Sequence, residues 1–335
     1  NIAGLDVHDP KDVVKDLVAK LRPDVDLIIL LTHQGKTAPM QTDDEAHPDI
    51  HRGIDAEIEL AGVIEGIDII FSGHADAGTE KPFVHPQTGT LIMQTYGQGF
   101  HLGYLQLNID KKTKRIIDHN GYLIPVDSAS LAPHKGVVEK LEKYKARHKH
   151  LDEVIGKTSA RLKRAYNRES DLGNLFADLH REEGKAEVGL YPSGGIRRDI
   201  DAGDVTFEEL INAWPFLDTV QTVRMSGALL IEVLEQGLSL DRGIMQVSGM
   251  KVTYDIKRPI GSRVLEVTVG DSPLVSDRSY TVATGSFIVN GGDNYTQFKL
   301  SEKVSVGRSF SEVLLDHFRN SDVVSTPTGG RLLPQ

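Results

Sequence analysis

The chain has 335 residues, of which 39% are hydrophobic and 26% charged, so it can bury a sizeable core, and two domains are the natural expectation. Its net charge of -10 argues against a general nucleic-acid binder, although a small phosphorylated ligand needs only a local positive site. The lack of cysteine excludes disulfides, thiolate catalysis and cysteine-ligated zinc, and no apolar run has the length of a membrane span.

Two apolar strands, each ending in a histidine, dominate the first part of the sequence. Residues 26–33 and 67–74 are apolar runs of strand length that end at His33 and His74. Continuous rather than alternating hydrophobicity is typical of strands covered on both faces, as in a layered α/β sheet. A helix is predicted before each strand, over 12–21 and 56–64.

The two histidines and a nearby aspartate make a candidate metal site. In α/β sheets the chemistry collects at the carboxyl ends of the strands, where His33 and His74 fall. Asp76 follows His74 by two residues, so in an extended turn both side chains can point the same way. One histidine at a strand end is more often an ordinary polar residue, and two at equivalent ends weaken that interpretation considerably, but geometry alone leaves both interpretations open. Two imidazoles and a carboxylate form half of a site that suits zinc, manganese or iron.

A long polar loop, residues 35–53, follows the first of these strands. A loop of this length beside a candidate site is usually functional. It contains His47 and His51, for which the favoured interpretation is solvated loop residues rather than ligands.

Three β segments and a charged helix lie between the first part of the chain and the second. The β segments are predicted over 90–96, 101–109 and 115–125, and the helix over 137–148. The helix has a narrow apolar stripe, which is typical of a surface helix packed on one domain; that two domains turn about it is implied only by a family resemblance carried by the motifs below. The predicted divisions are a first domain, a linker and a second domain, at 1–126, 127–150 and 151–335.

The second domain contains a glycine turn followed by an arginine. A strand predicted over 187–191 breaks at Pro192, and Gly194, Gly195 and Arg197 follow. Two adjacent glycines after a strand allow a ligand to approach the backbone closely, and a guanidinium suits phosphate or carboxylate. A Gly-Gly pair by itself is usually only a turn.

A second glycine-containing segment combines an aromatic ring with a carboxylate. Phe287 and Asp293 are separated by a stretch that includes Asn290, Gly291 and Gly292. Stacking on a base and acceptance of hydrogen bonds from ribose hydroxyls together suit a nucleoside. Core packing is the alternative interpretation of Phe287 taken alone.

These motifs resemble those of the 5'-nucleotidase and UDP-sugar hydrolase family, in which a calcineurin-like metallophosphoesterase domain precedes a 5'-nucleotidase C-terminal domain. Thr32-His33-Gln34-Gly35 and Gly73-His74-Ala75-Asp76 are similar to the last two metal motifs of the first domain. Residues 192–197 resemble the Asn-X-Gly-Gly-Ile-Arg motif of the second. Further similar segments are 205–207, 214–216, 225–227, 246–249 and 286–293.

The resemblance implies a fold class and a set of roles. The fold would be α/β: the C-terminal part of a layered metallophosphoesterase β-sandwich, a linker helix, and an α/β 5'-nucleotidase C-terminal domain. Two divalent ions, zinc, manganese or similar, would activate a bridging water that attacks phosphorus, with His33 and His74 on one ion and Asp76 on its neighbour. The substrate-binding positions implied by the resemblance are Arg197, Gly194, Gly195, Phe287, Asn290, Gly292, Asp293, Ile244 and Arg168.

The departures from the family pattern fall on the substrate side. Ile244 stands where many relatives carry a second aromatic that sandwiches the base, and Pro192 replaces the asparagine of the glycine motif. Tyr166 replaces an arginine, with Arg164 and Arg168 nearby. These changes affect base preference and nucleotide specificity.

Relatives also carry two earlier motifs, and a catalytic histidine in one of them, before the point where this sequence begins. The sequence is therefore expected to be the C-terminal part of a longer enzyme, whose N-terminal segment is supplied separately or left out. The alternatives to a 5'-nucleotidase are a UDP-sugar or cyclic-nucleotide phosphoesterase and a catalytically incomplete nucleotide-binding fragment. Resemblance also implies a periplasmic, cell-surface or secreted protein.

Overall fold

The chain divides into two units, residues 1–135 and 136–335, and each has its own hydrophobic core. The computed structural model describes residues 6–34, 53–97, 99–127, 129–240 and 242–335. Both units mix helices with sheets, which confirms the predicted α/β class. None of the helices in the described part of the chain is long and apolar enough to cross a bilayer.

The first unit is built on a mixed four-stranded sheet with the order β1-β2-β4-β3. Strands β1, β2 and β4 are parallel, and β3 pairs with β4 in the antiparallel direction. A hairpin, β5-β6, forms a separate two-stranded sheet. The elements are α1 (Pro10–Leu21), β1 (Ile29–Leu31), α2 (Asp55–Val63), β2 (Ile69–Ser72), β3 (Phe83–Val84), β4 (Leu91–Gln94), β5 (His101–Ile109) and β6 (Ile116–Pro125).

The two strands that end near histidines differ in how they are covered. In β2, Ile69 and Ile70 are buried, as continuous hydrophobicity predicts. In β1, Ile29 is 50% exposed and Leu31 is 76% exposed, so the prediction that both strands are covered on both faces is wrong for this one. The physical reason is position, because β1 lies at the edge of the sheet.

The second unit contains a five-stranded sheet with the order β11-β8-β15-β10-β16 and a four-stranded sheet with the order β14-β13-β12-β17. Strands β7 and β9 form a further antiparallel pair. After α3 (Lys135–Lys145), which spans the boundary between the units, the elements are β7 (Val154–Thr158), α4 (Asp171–Glu183), β8 (Val188–Pro192), β9 (Gly203–Thr206), α5 (Phe207–Ala213), β10 (Thr219–Ser226), α6 (Gly227–Leu238), β11 (Met245–Ser248), β12 (Met250–Tyr254), β13 (Val264–Val269), β14 (Ser272–Pro273), β15 (Ser279–Gly285), α7 (Ser286–Val289), β16 (Glu302–Ser309), α8 (Phe310–Asn320) and β17 (Leu332–Pro334).

Helix α4 shows how local sequence places the second unit's layers. It begins at Ser170, whose hydroxyl accepts a hydrogen bond from the Gly173 N–H and so caps the helix. Its buried face, which packs in the core of the five-stranded sheet, includes Leu172, Leu175, Phe176 and Leu179. The helix thereby fixes the segment just before it against that sheet.

Candidate functional site

The structure brings His33 and His74 together at the carboxyl ends of two paired strands. The Thr32 N–H donates to the Phe71 carbonyl, which extends the parallel pairing of β1 and β2 to the histidines. The two imidazole centroids are 5.0 Å apart and the rings meet edge to face. A Cβ on Gly73 would lie 3.0 Å from His33 Nδ1, so glycine leaves room for this ring.

Asp76 lies in a different local environment. Both His74 and Asp76 adopt positive φ angles, 74° and 55°, which bend the chain after β2 instead of extending it. The Asp76 carboxylate lies against the backbone of Gly97, where any Cβ would clash with it.

The described residues fit part of a metal site. Paired imidazoles are suitable ligands for zinc, manganese or iron. Among the described ranges, no group of three or more His, Cys, Asp or Glu side chains is arranged to hold a metal ion, so Asp76 does not complete a cluster with the pair. His47 and His51 lie outside the described residues.

The sequence argument did not identify a buried carboxylate that lies close to the histidine pair. Glu57, on α2, is fully buried, and its Oε1 accepts a hydrogen bond of 2.9 Å from the Thr32 hydroxyl. Its Oε2 is buried and has no partner among the residues that the structure describes. The available signal was an acidic residue inside the apolar stretch of the predicted helix.

In the second unit, close packing explains the glycine turn after β8. A Cβ on Gly194 would lie 2.5 Å from the Arg242 carbonyl oxygen, and one on Gly195 would clash with the Tyr191 hydroxyl. The Arg197 N–H donates to the Ala213 carbonyl at 2.8 Å, and its exposed side chain places the guanidinium carbon 5.2 Å from the Phe216 ring centroid. The turn therefore presents a guanidinium beside an aromatic face.

Phe287 stands at the surface on the short helix α7 and is 51% exposed. Asp218 Oδ1 accepts hydrogen bonds from the Ser286 hydroxyl and, at 2.9 Å, from the Phe287 N–H. A Cβ on Gly292 would lie 2.5 Å from the Phe287 ring, so the ring rests on the backbone of this glycine. An exposed aromatic held by backbone and carboxylate contacts is not a core residue.

Asp293 is a partly buried carboxylate beside cations. Its φ is 50°, and its Oδ1 lies 3.8 Å from Arg242 Nε. Burial raises the pKa of Asp293, and the charges of Arg242 and Arg197 act in the opposite direction. The preceding Asn290 is exposed.

The hydroxyl of Tyr191 is buried beside the glycine turn. The Trp214 indole N–H donates to it, and a Cβ on Gly195 would clash with it. Burial raises the pKa of this hydroxyl, against the hydrogen bond from Trp214. Tyr191 therefore ties the glycine turn to the segment that carries Trp214.

Two further sequence-predicted positions contribute differently. The Ile244 side chain is 1% exposed and faces the core, while its carbonyl accepts from the Ser193 N–H. Arg168 has an exposed side chain, and its carbonyl accepts from Gln246 Nε2. Phe216, which entered the sequence argument only as part of a similar segment, is the half-buried aromatic beside Arg197.

Comparison with known proteins identifies the domain family of the second unit. Residues 151–300 match the family model of the 5'-nucleotidase C-terminal domain. This part of the chain is a 5'-nucleotidase C-terminal domain. The resemblance and the α/β fold class predicted from the sequence are thus confirmed.

Individual relatives cover most of this chain. A trifunctional nucleotide phosphoesterase protein, YfkN, of Bacillus subtilis is 30% identical over 84% of the chain, which spans 21% of that protein. A 5'-nucleotidase of Diplobatis ommata is 26% identical over 84% of the chain, which spans 57% of that enzyme. The crystal structure of a 5'-nucleotidase precursor from Thermus thermophilus superposes with a TM-score of 0.82 at 25% identity, covering 98% of this chain and 68% of that one.

Proposed function

We propose that this chain binds a nucleoside 5'-phosphate and takes part in hydrolysis of its phosphoester bond. The observation that carries the proposal is Phe287, an exposed aromatic ring that is held by Asp218 and rests on Gly292, the residue before Asp293. The match of residues 151–300 to the 5'-nucleotidase C-terminal domain supports the same substrate class.

The second unit would hold the substrate. Phe287 offers a face on which a base can stack, and Phe216 lies on the neighbouring segment beside Arg197. Asp293 would accept hydrogen bonds from ribose hydroxyls, and the two arginines that act on its charge make an electropositive surrounding for phosphate. Gly194 and Gly195 pack closely against Arg242 and Tyr191, which holds in place the turn that leads to Arg197.

The first unit would contribute metal ligands. His33 and His74 would hold one of two divalent ions, zinc, manganese or similar, and Asp76 its neighbour. When bound, such ions lower the pKa of water and neutralise charge on the phosphate.

A nucleotide-binding fragment without turnover is the second candidate. It is favoured by the finding that the described residues supply a pair of histidines but no cluster of three ligands. UDP-sugar and cyclic-nucleotide phosphodiester hydrolysis are alternative activities of the same site. We also propose export to the periplasm, the cell surface or the medium, because the Thermus relative is named as a precursor.

The test is phosphate release from 5'-AMP in the presence of manganese or zinc, together with calorimetric titration of AMP. We expect release that is abolished by a chelator and lowered at least 100-fold by His74→Ala. The exposed His134→Ala is the matched control and should leave release unchanged. Tight AMP binding without release would favour the binding fragment, and a lack of both would overturn the proposal.

A further inference from the structure

Gln246 is a buried amide that joins three separate segments of the second unit. It lies on β11, is 0% exposed, and its Nε2 donates to the Arg168 carbonyl at 2.8 Å and to the Ser193 hydroxyl at 2.7 Å. Its Oε1 accepts from the Ser170 N–H at 3.2 Å. A Cβ on Gly173 would clash with the same amide, so helix α4 packs directly against it.

The segments that Gln246 joins each lead to an arginine among the proposed substrate-binding positions, and a guanidinium suits phosphate. Arg168 itself is one partner, and Ser193 begins the turn that continues through Gly194 and Gly195 to Arg197. The proposed nucleoside side has a different support, because Asp218 holds the Phe287 segment. A change at Gln246 should therefore affect the two ends of a nucleotide unequally.

We propose that Gln246 is a positioning residue for phosphate binding, which sets Arg168 and Arg197 without touching the ligand. The inference rests on the proposed nucleotide-binding function and deepens it by separating phosphate from nucleoside recognition. A side-chain amide donates twice and accepts once in this place, a combination that a carboxylate of the same shape cannot reproduce. A buried donor or acceptor left unpaired is costly, so the network holds its segments in one arrangement.

The decisive variant is Gln246→Glu, because it keeps the shape of the side chain and replaces the two N–H donors with an oxygen that accepts. An oxygen would then face the Arg168 carbonyl and push that segment away. Calorimetric titration of the full chain with AMP and with adenosine should show AMP affinity lowered at least tenfold and adenosine affinity changed less than twofold. Lowering the pH toward 5 should restore part of the AMP affinity of this variant, relative to the wild type at the same pH. Burial raises the pKa of the introduced carboxyl, so it becomes protonated and can again donate a hydrogen bond.

Two further variants separate positioning from general stability. Gln94→Glu makes the same change at a buried amide of the first unit, whose Nε2 donates to the Ala77 carbonyl, and should lower Tm without altering the ratio of AMP to adenosine affinity. Ser193→Ala removes a single partner of Gln246 and should weaken AMP about threefold.

Three outcomes would contradict the inference. An equal loss of both ligands in Gln246→Glu would mean a merely structural role, and unchanged AMP affinity would mean no role in binding. A wild-type chain that binds neither ligand would overturn the proposed function and the inference with it. Either of the first two outcomes, in a chain that binds both ligands, would overturn the inference alone.

Discussion

At the scale of single residues, Asp293 combines a proposed role in ribose binding with an energetic cost. Its folded-state pKa is raised by burial, so between 3.8 and that raised value the folded state binds more protons than the unfolded state. Stability therefore falls as the pH rises through this window, and at neutral pH the charged carboxylate destabilises the fold. Binding sites often retain residues that lower the stability of the fold in this way.

We expect Asp293→Asn to raise Tm at pH 7 by roughly 1–3 °C and to weaken adenosine binding about tenfold. Asparagine tolerates the positive φ of this position, so the backbone need not change. The Tm difference should shrink as the pH falls through the raised pKa of the wild-type carboxyl, which is then protonated. The exposed Asp277→Asn serves as control, and a lower Tm for the Asp293 variant at pH 7 would contradict the argument.

Sequence patterns identified some site residues and could not identify others. Arg197, Phe287 and Asp293 stand beside paired glycines, a local signal that one stretch of sequence displays. Asp218 and Gln246 form hydrogen bonds with residues 68 and 76 positions away in the sequence, and the residues next to them in the sequence give no sign of these contacts. Long-range hydrogen bonds of this kind become visible only when the fold is known.

At the scale of elements, the turn after β8 depends on the absence of side chains. Gly195→Ala would put a Cβ against the hydroxyl of Tyr191, a residue that is 4% exposed and is bonded to the Trp214 indole. Because neither ring can move outward, the turn must shift, and overpacking of this kind costs about 1–3 kcal/mol.

We expect Gly195→Ala to lower Tm by several degrees and to reduce AMP affinity at least tenfold, since the turn leads to Arg197. Calorimetry and titration would measure both. Gly329→Ala, whose nearest atom would be Glu169 Oε1 at 3.4 Å, is a matched control with ordinary van der Waals contact. Full AMP affinity in the Gly195 variant would show that the turn does not position the ligand.

The elements themselves were predictable to different degrees. The segment 101–109 coincides with β5, and the predicted strand 26–33 shrinks to Ile29–Leu31, because only these three residues pair with β2 in a regular register. Hydrophobic periodicity locates strands but carries no information on which strands pair. The order β11-β8-β15-β10-β16 places sequence-distant strands side by side, so it could not be read from the pattern.

At the scale of the whole molecule, the core of the second unit contains a buried titratable group. His180 is 0% exposed and stacks on Phe310 with centroids 3.9 Å apart. Its Nδ1 donates to the Phe176 carbonyl, while Nε2 is buried and finds no partner within the described ranges. Burial lowers the pKa of His180 from 6.5 to about 4, so the imidazole is neutral in the folded protein.

This depressed pKa predicts acid sensitivity of the unit that spans 136–335. Between pH 6.5 and 4 the unfolded state binds the proton that the folded state rejects, so stability is full above 6.5 and is lost as the pH falls. The loss at pH 5 should be about 2 kcal/mol, or roughly 4–8 °C in Tm. Calorimetry would measure this loss in the unfolding transition whose Tm is raised by adenosine. The His180→Gln variant should be less stable at pH 7, but its Tm should depend less on pH. An unchanged slope of Tm against pH would mean that other groups cause the acid sensitivity. One such group is the half-buried His317, whose pKa is also lowered by burial.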